Sequence, residues 1–76
     1  SVFPNPTTDV LNLNVADYKV EKLNYQLTDL QGKVISEKQI AESSTQITMS
    51  TQAQSVYFLN IIQNNQIIKS FKIIKN

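Results

Sequence analysis

The chain has 76 residues, 41% of them apolar, and seven lysines against six acidic residues leave a net charge of +1. This length allows one small domain with a modest core, and the near balance of charge argues against a nucleic-acid surface, which needs a clustered basic face. Cysteine, histidine, tryptophan and arginine are all absent, which excludes disulfides, soft-metal sites and nucleophile systems built on histidine or cysteine.

The amino-terminal segment, residues 1–9, contains two prolines that flank Asn5. Each proline fixes its own φ and favours extended geometry in the residue before it. The segment is therefore predicted to be stiff, extended and poor in backbone donors. A purely structural role, as a linker or a blocker of a strand edge, carries about even weight before any family is considered. The polar run Thr7–Asp9 is predicted to cap a bend into one domain formed by residues 10–76.

Apolar and polar residues alternate along most of the remaining chain, which predicts β-strands. The predicted strands cover residues 10–15, 23–28, 33–40, 46–50, 56–62 and 66–75, with polar loops at 16–22, 41–45 and 51–55. Residues 56–62 are apolar on both faces, which is typical of a central strand. Residues 33–40 alternate poorly and are predicted to be exposed or bulged. In the last strand Ile67 is expected on the same face as Phe71 and Ile73.

Two tight turns are predicted. The turn Asp29–Lys33 contains Gly32, the only glycine of the chain. Aspartate first and glycine fourth suit a type I turn in which Asp29 accepts backbone hydrogen bonds and Gly32 takes a positive φ. Asn64 and Asn65 predict a two-residue hairpin turn, because asparagine tolerates positive φ. Short strands joined by such turns indicate an all-β antiparallel sandwich or a small barrel.

Side chains that carry chemistry are few. A calcium site from Asp9 and Asp17 is conceivable, but solvated loop acids explain both better. Tyr18, Tyr25 and Tyr57 could form a sugar-binding platform, although Tyr25 and Tyr57 are in phase with core leucines. No catalytic residue, cofactor or metal is expected.

Three lysines of the last strand, Lys69, Lys72 and Lys75, are spaced by three residues, so Lys72 is expected to lie on the opposite face from the other two. They indicate either a charged edge that prevents aggregation or a surface that a partner reads.

Four blocks of the chain, taken in order, resemble one family. Residues 2–13 resemble the Tyr/Phe-Pro-Asn-Pro-x-x-Asp-x-Leu opening of type A C-terminal sorting domains of the type IX secretion system. Residues 27–34 are similar to its Asp-x-x-Gly-Lys hairpin, and residues 47–61 to its Ile-x-Leu-Ser block and Gly-x-Tyr strand. Residues 69–76 look like its lysine-rich end. The chain departs from the pattern at Ser55, where the family usually has glycine, and at Gln52 and Ala53, where it often has Leu-Pro.

The resemblance implies an antiparallel Ig-like β-sandwich of about seven short strands that is not an enzyme. It implies a label at the carboxyl end of a cargo protein, which passes through the periplasm and is carried across the outer membrane by the translocon and shuttle proteins of the type IX machinery. A sortase-like peptidase then commonly removes the label, and the cargo reaches the cell surface or the medium. The motif residues that carry the resemblance, and are candidates for recognition, are Pro4, Asn5, Pro6, Asp9, Asp29, Gly32, Lys33, Tyr57, Lys69, Lys72 and Lys75.

Alternative functions are an Ig-like spacer, an adhesion module or a carbohydrate-binding accessory domain of a secreted protein. The terminal lysines also motivate the hypothesis that a partner adds a strand to the carboxyl-terminal edge.

Overall fold

The computed structural model describes residues 1–16 and 22–76, and in these residues it contains seven strands and no helix. The strands are β1 (Val2–Phe3), β2 (Val10–Asn14), β3 (Leu23–Thr28), β4 (Val34–Gln39), β5 (Ser44–Thr48), β6 (Ser55–Gln63) and β7 (Gln66–Lys75). They form a three-stranded sheet in the order β1-β2-β5 and a four-stranded sheet in the order β4-β3-β6-β7. All neighbouring strands are antiparallel, which confirms the predicted all-β sandwich.

The core lies between the inner faces of the two sheets. Its buried residues are Leu11, Leu13, Leu23, Tyr25, Leu27, Ile40, Ile47, Met49, Tyr57, Leu59, Ile61 and Ile73. Most of them alternate along their strands with residues on the outer faces, as a two-residue side-chain period requires. Tyr25 and Tyr57 are 4% and 5% exposed, so the prediction that both belong to the core is confirmed and neither can form an exposed sugar platform.

Both tight turns form as predicted. In the first, Gly32 has a φ of 85° and its amide donates to the Asp29 carbonyl at 3.1 Å. Asp29 Oδ1 accepts hydrogen bonds from the amides of Gln31 and Lys33, both at 2.9 Å. In the second, Asn64 and Asn65 have φ values of 52° and 63°.

The strand β6 lies between β3 and β7, which confirms that this apolar run is central. The prediction for β4 is confirmed as well. It is a mostly exposed edge strand, and its register with β3 shifts where Leu27 pairs with Ser36 and Thr28 with Val34. Ile35 is the extra residue of this bulge.

Two sequence-based predictions are wrong in detail. The strand β5 begins and ends two residues before the predicted range of 46–50, although Ile47 and Met49 are both buried as expected. Ile67 was expected to share a face with Ile73, but it pairs with Ile62 on the outer face and is 57% exposed. The cause is a bulge at Ile68, whose extra residue shifts the alternation of β7. The predicted loop at 16–22 lies almost wholly outside the described residues.

A chain of side-chain hydrogen bonds crosses the outer face of the four-stranded sheet. Gln26 Nε2 donates to Glu37 Oε1 at 3.2 Å, and Asn60 Nδ2 donates to Gln26 Oε1 at 3.3 Å. Ser70 Oγ donates to Asn60 Oδ1 at 2.6 Å. One polar residue from each of β4, β3, β6 and β7 is thereby joined in a single row.

Across the two described ranges, no helix has the length and apolar character needed to cross a membrane.

Candidate functional site

The amino-terminal segment is hydrogen-bonded to both sheets. Val2 and Phe3 form β1 and pair with Leu13 and Asn12 of β2. The chain then crosses to the other sheet, and the peptide bonds before Pro4 and Pro6 are cis.

Asn5 contacts β7 with its side chain in the manner of an added strand residue. Its Nδ2 donates to the Lys72 carbonyl at 2.8 Å, and its Oδ1 accepts from the Ile74 amide at 3.0 Å. One carboxamide therefore satisfies a donor and an acceptor on the outer edge of β7. This is the pairing that a neighbouring strand would otherwise supply.

Thr7 continues the contact with its backbone. Its amide donates to the Ile74 carbonyl at 2.8 Å, its carbonyl accepts from the Asn76 amide at 2.9 Å, and it forms a parallel bridge with Lys75. The side chain is 1% exposed, and its Oγ1 donates to the Val10 carbonyl at 2.8 Å. Asn5 and Thr7 together cover the edge of β7 from Lys72 to its end. This geometry fits the interpretation of the segment as an edge blocker. The division of the chain into residues 1–9 and 10–76 stays a prediction.

Most of the motif residues lie at one end of the sandwich, which we call the motif end: the end at which β3 ends, β6 begins and β7 ends. The strand register establishes this placement, because Phe58 pairs with both Thr28 and Lys72, and Ser55 pairs with Lys75. The turn after Thr28 therefore lies at the same end as Asn5.

Tyr57 lies beside the Asp29–Lys33 turn. Both line a depression of about 400 Å³ together with Val34, Ile35, Gln52 and Ala53. The Tyr57 hydroxyl donates to the Ala53 carbonyl at 2.6 Å, which ties the loop before β6 to the strand. In this chain Gln52 and Ala53, the positions that depart from the family pattern, thus form one wall of the depression.

Asp9 and the three lysines of β7 differ in their surroundings. Asp9 is exposed, and its carbonyl accepts from the Met49 amide at 2.7 Å. Lys69 pairs with Ile61 away from the motif end, and its Nζ lies 5.2 Å from the centroid of the Phe71 ring. Lys69 and Lys72 are exposed, whereas Lys75 is half-buried.

The described residues offer little for chemistry. Within the ranges 1–16 and 22–76, no three acidic side chains come together in an arrangement that could hold a metal ion. Asp17, the second residue of the conceivable calcium pair, lies outside those ranges. Burial raises the pKa of the Tyr25 hydroxyl above its usual value of 10.0, but this side chain belongs to the core.

Sequence reasoning missed how the motif residues are connected. It named Asn5 and the terminal lysines, but the partners of Asn5 are backbone groups 67 and 69 residues away. Thr7 was treated as a turn residue, whereas its burial makes it a structural contact. Thr7 stands in a polar run next to two prolines, and nothing in these neighbouring residues indicates that its side chain is buried.

The family of the chain follows from a comparison with models of known families. A comparison with curated proteins gives no match to the chain. The model of the secretion system C-terminal sorting domain, however, matches residues 1–76, the whole chain. This match confirms the resemblance seen in the four blocks. The chain therefore belongs to the C-terminal sorting domains of the type IX secretion system, a family that directs secretion and is not enzymatic.

Proposed function

We propose that the motif end is the surface by which the secretion machinery recognises this domain. The domain is carried at the carboxyl end of a cargo and crosses the periplasm in folded form. It is bound there by the shuttle and translocon proteins of the outer membrane. Its motif residues do not react; they present a fixed arrangement of charge and shape.

The observation that supports this proposal most strongly is the double contact of Asn5 with β7. It places the Pro-Asn-Pro motif against the lysine-bearing strand, so that two motifs from opposite ends of the sequence form one surface. The Asp29–Lys33 turn and Tyr57 lie at the same end of the sheet. A partner that binds this end contacts all of these blocks only when the domain is folded.

The same contacts bear on removal of the domain by a sortase-like peptidase. Peptidases act on extended, accessible backbone, and hydrogen-bonded strands resist them. Residues 2–3 are paired with β2, and Asn5 and Thr7 are bound to β7. Ser1 is hydrogen-bonded to Asn14 through both its amine and its carbonyl, so cleavage is expected before Ser1, in the connection to the cargo.

The experiment fuses residues 1–76 to the carboxyl end of a fluorescent protein that carries a periplasmic signal peptide. Fluorescence in the medium and on the cell surface is compared between a bacterium with a type IX system and its mutant without the translocon. Export in the competent strain alone is the expected result. Retention of a folded fusion in both strains would contradict the proposal.

A matched control separates recognition from folding. Lys72→Ala changes the motif end without removing the backbone contact to Asn5, whereas Lys38→Ala changes an exposed lysine of β4, outside that end. Both variants are expected to keep the wild-type melting temperature within a few degrees. Export is expected to fall for Lys72→Ala and to stay at the wild-type level for Lys38→Ala.

A further inference from the structure

The amino-terminal segment covers only part of the β7 edge. In an antiparallel strand, both backbone groups of every second residue point to the same side. The Lys72 carbonyl and both backbone groups of Ile74 point outward, since they bind Asn5 and Thr7. The amide and carbonyl of Ser70 and the amide of Lys72 therefore point outward too. Among the described residues, none of these three groups has a hydrogen-bond partner.

The surroundings of this open stretch, residues 68–72, are apolar and positively charged. Ile67 and Ile68 are 57% and 53% exposed. A cleft of about 190 Å³ lies beside the strand, lined by residues that include Val15, Leu23, Ile61, Ile68 and Phe71. Lys69 also lines the cleft and lies over the Phe71 ring. The open stretch thus combines outward backbone groups without hydrogen-bond partners among the described residues, an apolar cleft, and the positive charges of Lys69 and Lys72.

The charge of the stretch decides what can occupy it. Two copies of this chain paired antiparallel about Ser70 would place Lys69 of one copy opposite Phe71 of the other and diagonal to the other Lys69. Neither copy would offer a carboxylate to these lysines, because residues 66–76 contain no acidic residue. No carboxylate of residues 1–16 or 22–76 forms an ion pair with these lysines. The stretch is therefore complementary to an acidic partner and not to a second copy.

We propose that residues 68–72 of β7 bind an extended acidic segment of another protein by strand addition. The segment pairs with the backbone of Ser70 and with the Lys72 amide, its carboxylates face Lys69 and Lys72, and an apolar side chain enters the cleft. The proposal rests on the proposed function, since the segment belongs to the protein that receives the domain. It limits the earlier hypothesis of strand addition to the part of β7 that Asn5 and Thr7 leave open.

The test compares Ser70→Pro with Ser70→Ala in the export fusion. Both variants lose the hydroxyl that donates to Asn60, but only proline removes the outward amide and places a ring where the added strand would lie. Edge strands tolerate proline where the N–H faces away from the sheet. Ser70→Ala is expected to be exported like wild type, and Ser70→Pro at least tenfold less, with melting temperatures close to each other.

The outcomes distinguish this proposal from the proposed function. If the wild-type fusion is not exported, the proposed function fails and this proposal fails with it. If wild type and both folded variants are exported equally, only strand addition at residues 68–72 is overturned. Hydrogen exchange of the isolated chain gives an independent check: the Ser70 amide is expected to exchange fast and the Ile74 amide slowly, and a protected Ser70 amide would overturn the proposal.

A charge reversal keeps the proposal testable if Ser70→Pro does not fold. Lys69→Glu changes an exposed residue of the open stretch, and Lys38→Glu makes the same change on the exposed edge strand β4. Export is expected to fall at least fivefold for Lys69→Glu and to remain unchanged for Lys38→Glu. Equal export of the two variants would overturn the role of the lysine charge and with it the acidic partner.

Discussion

The two edge strands of the four-stranded sheet, β4 and β7, differ in how they are protected against pairing with other chains. The edge β4 is protected by its own residues: it is short, carries Glu37 and Lys38, and is bulged at Ile35. The edge β7 is longer and is protected by another part of the chain, because Asn5 and Thr7 cover its second half. Charge and bulges close an edge permanently. A covering segment closes only the part that it reaches and leaves the rest available.

The largest expected difference between the two edges is in packing. Ile73 of β7 is fully buried, whereas Ile35 of β4 is only partly buried against the core. Ile73→Ala should lower the free energy of unfolding by about 2–5 kcal/mol, because it leaves a cavity in the core. Ile35→Ala should cost under about 1.5 kcal/mol, since less apolar surface is buried there. Chemical denaturation measures both values, and equal losses would contradict the burial pattern.

The next largest effect concerns the covering segment. Asn5→Ala removes both side-chain hydrogen bonds to β7 and should cost about 1–3 kcal/mol, since each such bond contributes about 0.5–1.5 kcal/mol. The Ile74 amide should then exchange faster, while the amides of β4 keep their protection.

Asn5→Asp sharpens this test. The carboxylate still accepts from the Ile74 amide but cannot donate to the Lys72 carbonyl. The Ile74 amide should therefore stay protected although the protein is less stable than wild type. Loss of its protection in both variants would mean that the donor contact alone holds the segment on β7.

A smaller effect is expected at the hairpin that leads into β4. A Cβ built on Gly32 has no heavy-atom neighbour within 4 Å, but the φ of 85° is unfavourable for other residues. Gly32→Val should therefore cost about 1 kcal/mol or more through the backbone alone. Gly32→Asn should cost less, because asparagine tolerates a positive φ. Thermal unfolding of the two variants provides the comparison, and equal melting temperatures would argue against a backbone origin.

The smallest effect is a pH dependence at Tyr25, which pairs with Lys38 of β4. Burial raises the pKa of its hydroxyl in the folded state above 10.0. The unfolded chain therefore loses this proton first, so the stabilisation is complete below pH 10 and is lost as the pH rises through the folded pKa. The free energy of unfolding of wild type should fall more steeply in that range than that of Tyr25→Phe. Parallel curves for the two proteins would exclude Tyr25 as the cause.

The sequence predicted what depends on neighbouring residues. The Asp29–Lys33 and Asn64–Asn65 turns, the central position of β6 and the exposed character of β4 all follow from residues within a few positions of one another. The face of Ile67 was mispredicted because strict alternation fails at a bulge, and nothing near Ile68 marks one. The docking of Asn5 onto β7 could not be predicted, since it joins residues almost the full length of the chain apart.

The row of hydrogen bonds from Glu37 to Ser70 has a consequence for how the sheet is aligned. The run Val56–Ile62 is apolar on both faces, so hydrophobic patterning alone would allow β6 to slip by one residue between its neighbours. Apart from the Tyr57 hydroxyl, the Asn60 carboxamide is the only polar side-chain group of that run. A slip would turn its amide into the core, away from Gln26 and Ser70, and an unsatisfied buried amide costs about 1–3 kcal/mol. The Asn60 carboxamide thus favours the correct register of β6, which the apolar residues alone leave ambiguous. It thereby helps to determine which side chains of β6 face the surface.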